Sequence, residues 1–73
     1  MSAAERADAL ERLLAQPGIG PSVLERLREV GIHSLGHLRQ VGVDEAVLAV
    51  CERTGQIAWA NRRRFLRRAL AEL

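Results

Sequence analysis

Apolar residues recur every three to four positions along most of this 73-residue chain, which is the period of amphipathic helices. In the first such segment, residues 2–15, one stripe holds Ala3, Ala7, Leu10, Leu13 and Leu14. Asp8 and Arg12 lie four residues apart, a spacing that suits an ion pair on that helix. Because Pro17 disfavours α-helical geometry at Gln16, the pattern predicts that the first helix ends there.

Glycines separate the next helical segments. Residues 22–30 carry a second apolar stripe, and Gly31 suits the left-handed position that follows a helix. Ser34 is placed to cap a short third helix that runs to Gln40. Asp44 is placed to cap a fourth helix, which Gly55 ends. The inward positions of the fourth helix are predicted to be Ala46, Val47, Val50 and Cys51.

Residues 56–73 form the last and longest predicted helix, which would span roughly 27 Å if fully helical. Its inward face is predicted to hold Trp59, Phe65, Leu66, Ala69, Leu70 and Leu73. No four-residue window alternates between apolar and polar residues as a strand would. The pattern therefore predicts an all-α fold: a single domain over residues 1–73, built as a compact bundle of about five short helices with the longest at the C-terminus.

The composition favours a folded domain and argues against several other classes. Apolar residues make up 48% of the chain and charged residues 27%, an ordinary globular balance. No apolar run approaches the ~20 residues of a membrane span, and the N-terminal segment lacks the apolar stretch of a secretory signal. The single cysteine cannot form an internal disulfide. These features predict a cytoplasmic protein without a membrane partner.

The net charge of +2 hides an uneven distribution. Residues 1–55 hold six arginines against eight acids, whereas residues 56–73 hold five arginines against one acid. The isoelectric point near 10.0 mainly reflects the absence of lysine and tyrosine, so it does not by itself indicate a nucleic-acid partner. A coding bias toward G and C would also produce many arginines and alanines. The basic charge is therefore local, and it lies in the last helix.

Five arginines concentrate this charge, and we refer to Arg62, Arg63, Arg64, Arg67 and Arg68 as the arginine cluster. At helical spacing, one face of the segment holds Ala60, Arg63, Arg64, Arg67 and Ala71, with Arg62 and Arg68 at its flanks. This face suits contact with a phosphate backbone. It also suits a solvated helix surface whose cations complement the helix dipole. Because both aromatic residues are predicted to face inward, base stacking and sequence-specific recognition are not expected.

A second local signal is the hairpin turn, residues 17–21, with the sequence Pro-Gly-Ile-Gly-Pro. Gly18 and Gly20 permit positive φ or close backbone approach, and Ile19 can fill the seam between the flanking helices. Pro21 suits the first position of a helix, where its missing N–H costs nothing. The exposed N–H groups of that helix end, predicted at Ser22 and Val23, would attract a phosphate. The alternative is a purely structural turn.

The stretch from Leu13 to Pro21, followed by Leu24 and Leu27, resembles a helix-hairpin-helix motif. Residues 17–50 are more narrowly similar to the C-terminal domain of TfoX-type proteins, through Gly18-Ile19-Gly20-Pro21, Leu27, Gly31-Ile32-His33-Ser34-Leu35, Leu38-Arg39 and Gly42. The resemblance covers about half of the chain. It implies a helical bundle related to helix-hairpin-helix and sterile-alpha-motif-like folds.

The resemblance also implies double-stranded DNA as a partner, bound through the phosphate backbone by main-chain N–H groups at Gly18, Ile19, Gly20 and Ser22. TfoX proteins as a group are associated with the regulation of natural competence in bacteria. Two departures point to weaker binding: Ser22 stands where the family commonly has lysine, and Leu24 stands where it usually has a small alanine. Sterile-alpha-motif-like domains use the same fold to bind proteins, so a protein-interaction module without DNA binding is the alternative. A regulatory domain separated from an N-terminal partner is compatible with either.

Other side chains give no sign of catalysis or of a bound metal. His33 and His37 lack further ligands at suitable spacing, and Cys51 is expected to be a small core residue. No nucleophile is paired with a base, and no nucleotide-cradling loop is present in the sequence. We therefore expect a non-enzymatic domain with no cofactor and no small-molecule substrate.

The arginine cluster sets the expected strength of DNA binding. If three or four of its arginines each contacted a phosphate, the logarithm of the binding constant would fall with the logarithm of the salt concentration with a slope of about −3. The Kd would be on the order of 10⁻⁴ to 10⁻⁶ M.

Overall fold

Five α-helices and two 3₁₀ helices make up the chain in the computed structural model, which describes residues 2–73. In chain order they are α1 (Ala3–Ala7), a first 3₁₀ helix (Leu10–Ala15), α2 (Pro21–Glu29), α3 (Leu35–Val41), α4 (Val43–Thr54), a second 3₁₀ helix (Ile57–Arg62) and α5 (Arg63–Glu72). No strand occurs between residues 2 and 73, so the all-α prediction is confirmed. Within the same range, no helix is long and apolar enough to cross a bilayer.

A single aliphatic core lies around α4, which contacts α2, α3, α5 and the second 3₁₀ helix. The fully buried large side chains are Leu10, Leu13, Leu27, Leu35, Leu38, Val47, Val50 and Leu66. The predicted inward face of the last segment is confirmed: Trp59, Leu66 and Ala69 are buried, and the other members are half-buried against the core. Cys51 also packs against the core as expected.

The first predicted helix is wrong as a single element, because the chain breaks at Asp8 and Ala9. Asp8 ends α1 and turns toward α3, where its carboxylate accepts a hydrogen bond from the Gly36 N–H at 2.6 Å. The expected pairing with Arg12 is therefore also wrong, and Arg12 donates to the Ala7 carbonyl instead. The separate winding of the two pieces leaves Leu14 exposed, although its spacing placed it on the apolar stripe.

The prediction of the longest helix at the C-terminus needs a similar correction. Residues 57–72 are helical throughout, but the first six residues wind as a 3₁₀ helix and only ten belong to α5. The tighter winding follows the Gly55 turn, where the Trp59 N–H bonds to the carbonyl of Gln56, three residues before it. The longest α-helix is α4, with twelve residues.

The helix ends show which capping predictions are confirmed. Ser34 caps α3 by accepting from the His37 N–H at 3.0 Å, and Gly31 and Gly55 adopt positive φ at the ends of α2 and α4. Asp44 is not the cap of α4, because that helix begins at Val43 and Gly42 occupies the capping position. Asp44 lies in the first turn instead, where its carboxylate is available to another helix.

Substitution of Asp8 tests whether its hydrogen bonds stabilise the N-terminus of α3. Its main-chain carbonyl accepts from the Leu35 N–H at 2.8 Å, in addition to the side-chain bond to Gly36. We expect Asp8→Ala to lower the free energy of unfolding by about 1–2 kcal/mol, because a helix N-terminal donor loses its acceptor. Asp8→Asn keeps an acceptor oxygen and should lose less than half as much in urea denaturation. Equal losses in the two variants would contradict the assignment.

Candidate nucleic-acid interface

The hairpin turn joins the first 3₁₀ helix to α2. Gly18 adopts a φ of 81°, Ile19 is buried beneath the turn, and Pro21 is the first residue of α2, all as predicted. The expectation for Gly20 is wrong: its φ is −106°, and an added Cβ would meet no atom within 4 Å. Only the first glycine of the turn is therefore required by the backbone conformation.

The N–H groups of the turn and of the first residues of α2 fall into two sets. The Ile19 N–H donates to the Gln16 carbonyl at 3.4 Å and the Val23 N–H donates to the Gly20 carbonyl at 3.1 Å. The predicted outward N–H of Val23 is therefore wrong, and the Ile19 N–H that the resemblance implied as a phosphate donor already has an internal acceptor. The N–H groups of Gly18, Gly20 and Ser22 have no acceptor within residues 2–73. Since no side chain caps α2, these three donors are available to an external acceptor.

Phe65 of α5 lies against the hairpin turn. A Cβ added at Gly18 would come within 2.7 Å of Cε1 and 2.8 Å of Cγ of the Phe65 ring, distances at which no side chain fits. The ring thus occupies the space that the absent side chain leaves. This contact joins the two regions that the sequence singled out separately, because Phe65 stands in the middle of the arginine cluster.

The arginine cluster divides into paired and unpaired members. Arg63 and Arg67 both bind the carboxylate of Asp44 on α4, with 3.2 Å between Arg63 Nε and Asp44 Oδ1. Arg62, Arg64 and Arg68 form no ion pair with any residue that the structure describes. The guanidinium carbon of Arg64 lies 5.7 Å from the centre of the Phe65 ring, a cation–π contact.

An open groove follows the arginine face of α5. It is lined by Ala60, Asn61, Arg63, Arg64, Phe65 and Arg67. Four of the five residues predicted to share a face, Ala60, Arg63, Arg64 and Arg67, therefore line one groove, even though Ala60 belongs to the 3₁₀ helix; Ala71 does not line it. Phe65 was missed as a member of this surface because its spacing alone places it with the core residues, and the structure leaves it half-buried.

The remaining titratable side chains do not converge on a site. His33 and His37 are exposed, and Cys51 is half-buried with its Sγ 3.9 Å from the Ile57 carbonyl oxygen. In the described part of the chain, no three His, Cys, Asp or Glu side chains are grouped as metal ligands would be. The chemistry that the arrangement offers is anion binding by guanidinium and main-chain N–H groups.

No protein-family model, curated protein or solved structure matches this chain. The similarity to TfoX C-terminal domains therefore remains a prediction based on the motif residues between Gly18 and Gly42. The geometry described above does not depend on that similarity, since it follows from the contacts of the hairpin turn and α5 themselves.

Proposed function

We propose that the domain binds nucleic acid weakly and without sequence preference, through the phosphate backbone. The contact between Gly18 and Phe65 is the observation that supports this most directly. Phe65 lies against Gly18 and also contacts the guanidinium of Arg64, so the turn that offers unused N–H groups and the arginine cluster are neighbours in the fold. A phosphate backbone presents successive anions that two such neighbouring regions can contact together.

Among the N-termini of α2, α3 and α4, the one that best suits an anion is that of α2. The first turn of α2 contains no acidic residue, whereas that of α4 contains Asp44 and Glu45. The donors at the start of α3 are already bonded to Ser34 and Asp8. An anion at α2 would therefore meet open donors and the positive end of the helix dipole without a repelling carboxylate in that turn.

The binding is proposed to be weak because few charges are available. Ser22 contributes a donor but no charge, so the affinity depends on the arginines. With Arg62, Arg64 and Arg68 on phosphates, the salt slope would be about −3 and the Kd on the order of 10⁻⁴ to 10⁻⁶ M. The resemblance to TfoX-type domains is compatible with a regulatory role, which is part of the same proposal.

Arg64→Gln tests whether the arginine cluster contacts phosphate. We expect the variant to bind duplex DNA about three- to tenfold more weakly and to lose about one unit of salt slope, since one phosphate contact is removed. Arg53→Gln is the matched control: it removes the same charge from α4, where Arg53 lies 3.8 Å from Glu29 of α2. Fluorescence anisotropy at several salt concentrations measures both quantities. Equal effects in the two variants would show that only the overall charge matters.

Chemical shifts of the isotope-labelled domain provide the second readout. Titration with duplex DNA at low and moderate salt should move the amide signals of Gly18, Gly20 and Ser22 together with those of α5. Binding that leaves the hairpin turn unperturbed would limit the interface to the arginines. The proposal would be wrong if no signal moved even at low salt.

A protein-interaction module is the second candidate, and two exposed aliphatic side chains favour it. Ile57 at the start of the second 3₁₀ helix is 84% exposed, and Leu48 on α4 is 50% exposed. Exposed apolar side chains mark protein interfaces when they form a contiguous patch, and they contribute little to phosphate binding. Self-association that depends on protein concentration and is unaffected by DNA would favour this candidate.

A further inference from the structure

Two members of the arginine cluster form ion pairs with the same carboxylate oxygen of Asp44. Arg63 and Arg67 are four residues apart on α5, so their guanidinium groups lie on the same side of the helix. Both reach Oδ1 of Asp44, which projects from the first turn of α4. Oδ1 thus accepts a hydrogen bond from Arg67 and forms an ion pair with Arg63.

A phosphate oxygen would make the same kind of contact. Guanidinium groups bind carboxylate and phosphate oxygens with similar hydrogen-bond geometry, and the phosphodiester of a nucleic acid offers two such oxygens. One groove is lined by the unpaired Arg64 and by the paired Arg63 and Arg67, so a phosphate bound in it is within reach of both kinds of arginine.

We propose that Asp44 is an internal competitor that occupies Arg63 and Arg67 and lowers the affinity of the groove for nucleic-acid phosphate. This inference rests on the proposed function. It separates the arginine cluster into three residues that are open to an external anion and two that must first exchange an internal one.

The exposure of the pair makes such an exchange possible. The side chains of Asp44, Arg63 and Arg67 are 61%, 45% and 56% exposed, respectively. Solvent and salt screen ion pairs at this exposure, and each contributes little to stability. A phosphate can therefore displace the carboxylate, and the competition should reduce affinity by about three- to tenfold without abolishing binding.

Asp44→Asn tests the competition, with Glu45→Gln as the matched control. Both substitutions remove one negative charge from the first turn of α4, but Glu45 forms no ion pair with residues 2–73. We expect Asp44→Asn to bind a DNA duplex about three- to tenfold more tightly than the unmodified protein. Glu45→Gln should produce less than half of that gain.

A second background shows whether the gain passes through the paired arginines. In a protein carrying Arg63→Gln and Arg67→Gln, the additional change Asp44→Asn should no longer increase the affinity. Circular dichroism should show the same helical content in all variants, since the exposed ion pairs contribute little to folding.

The outcomes distinguish this inference from the function on which it rests. Tighter binding by Asp44→Asn that disappears in the double-arginine background supports the competition. An equal gain from Glu45→Gln, or a gain that persists without Arg63 and Arg67, overturns it while the proposed function stands. No change on Asp44→Asn, in a protein that binds DNA, overturns it in the same way. If neither the unmodified protein nor Asp44→Asn binds DNA at low salt, both proposals are wrong.

Discussion

Replacing Gly18 with alanine is expected to lower the free energy of unfolding by about 2–4 kcal/mol. Two effects act at this position. The φ of 81° is unfavourable for any residue with a Cβ, and the added Cβ would overlap the ring of Phe65. Because a domain of this size has a total stability of roughly 4–11 kcal/mol, the loss should be evident in thermal or urea unfolding.

Gly20→Ala is the matched control, since Gly20 belongs to the same turn. Its φ of −106° is accessible to alanine and an added Cβ would meet no neighbouring atom, so we expect a change within about 1 kcal/mol. Phe65→Ala separates the two effects: in that background Gly18→Ala should cost only the ~1–2 kcal/mol of backbone strain. Similar losses at Gly18 and Gly20 would contradict the described turn.

Replacing Leu66 with alanine should lower the free energy of unfolding by about 2–5 kcal/mol. Leu66 is completely buried on α5, which contacts α4 and the first 3₁₀ helix. Truncating its side chain removes apolar contacts and leaves a cavity that the surrounding helices can fill only in part. Since Leu66 adjoins Phe65, the loss should also weaken the attachment of the arginine face to the hairpin turn.

Leu48→Ala is the control for Leu66→Ala, because Leu48 is half exposed on α4. Urea denaturation should show a loss of about 0.5 kcal/mol or less for this variant. Amide signals of α5 that broaden in Leu66→Ala but not in Leu48→Ala would locate the weakened region. A small loss at Leu66 would mean that α5 contributes less to the core than its burial indicates.

The sequence predicted the features of the fold that depend on neighbouring residues. Helical periodicity identified the inward positions of α4 and α5, and the local chemistry of Ser34, Gly31 and Gly55 located three helix ends. Each of these signals acts over at most four residues, so spacing along the chain is sufficient to detect it.

The errors arise where a distant partner changes a local preference. Asp8 has suitable spacing for Arg12, but its carboxylate bonds to the main chain of α3, 28 residues away. Asp44 is a good helix-capping residue by type, yet arginines of α5 occupy it. In both cases, the same side chain could satisfy a local or a tertiary partner, and only the packing of the helices decides between them.

For the candidate interface too, local features were predictable from the sequence and tertiary contacts were not. The hairpin turn and the arginine cluster were each visible in the sequence, because glycine, proline and arginine have strong local signatures. Their proximity was not visible, since it depends on Phe65 filling the space beside Gly18, 47 residues earlier in the chain. The division of the cluster into paired and unpaired arginines likewise required the position of α4.

The two hydrogen bonds that Asp8 makes with α3 have a consequence for how the protein opens. They close a long loop between residue 8 and residues 35–36, while α1 itself contributes no buried side chain. Loop closure is entropically unfavourable until the enclosed helices have packed, so we expect this attachment to form late in folding. By the same reasoning, we expect α1 to detach first, in a local opening that leaves the core intact and uncovers the N-terminus of α3.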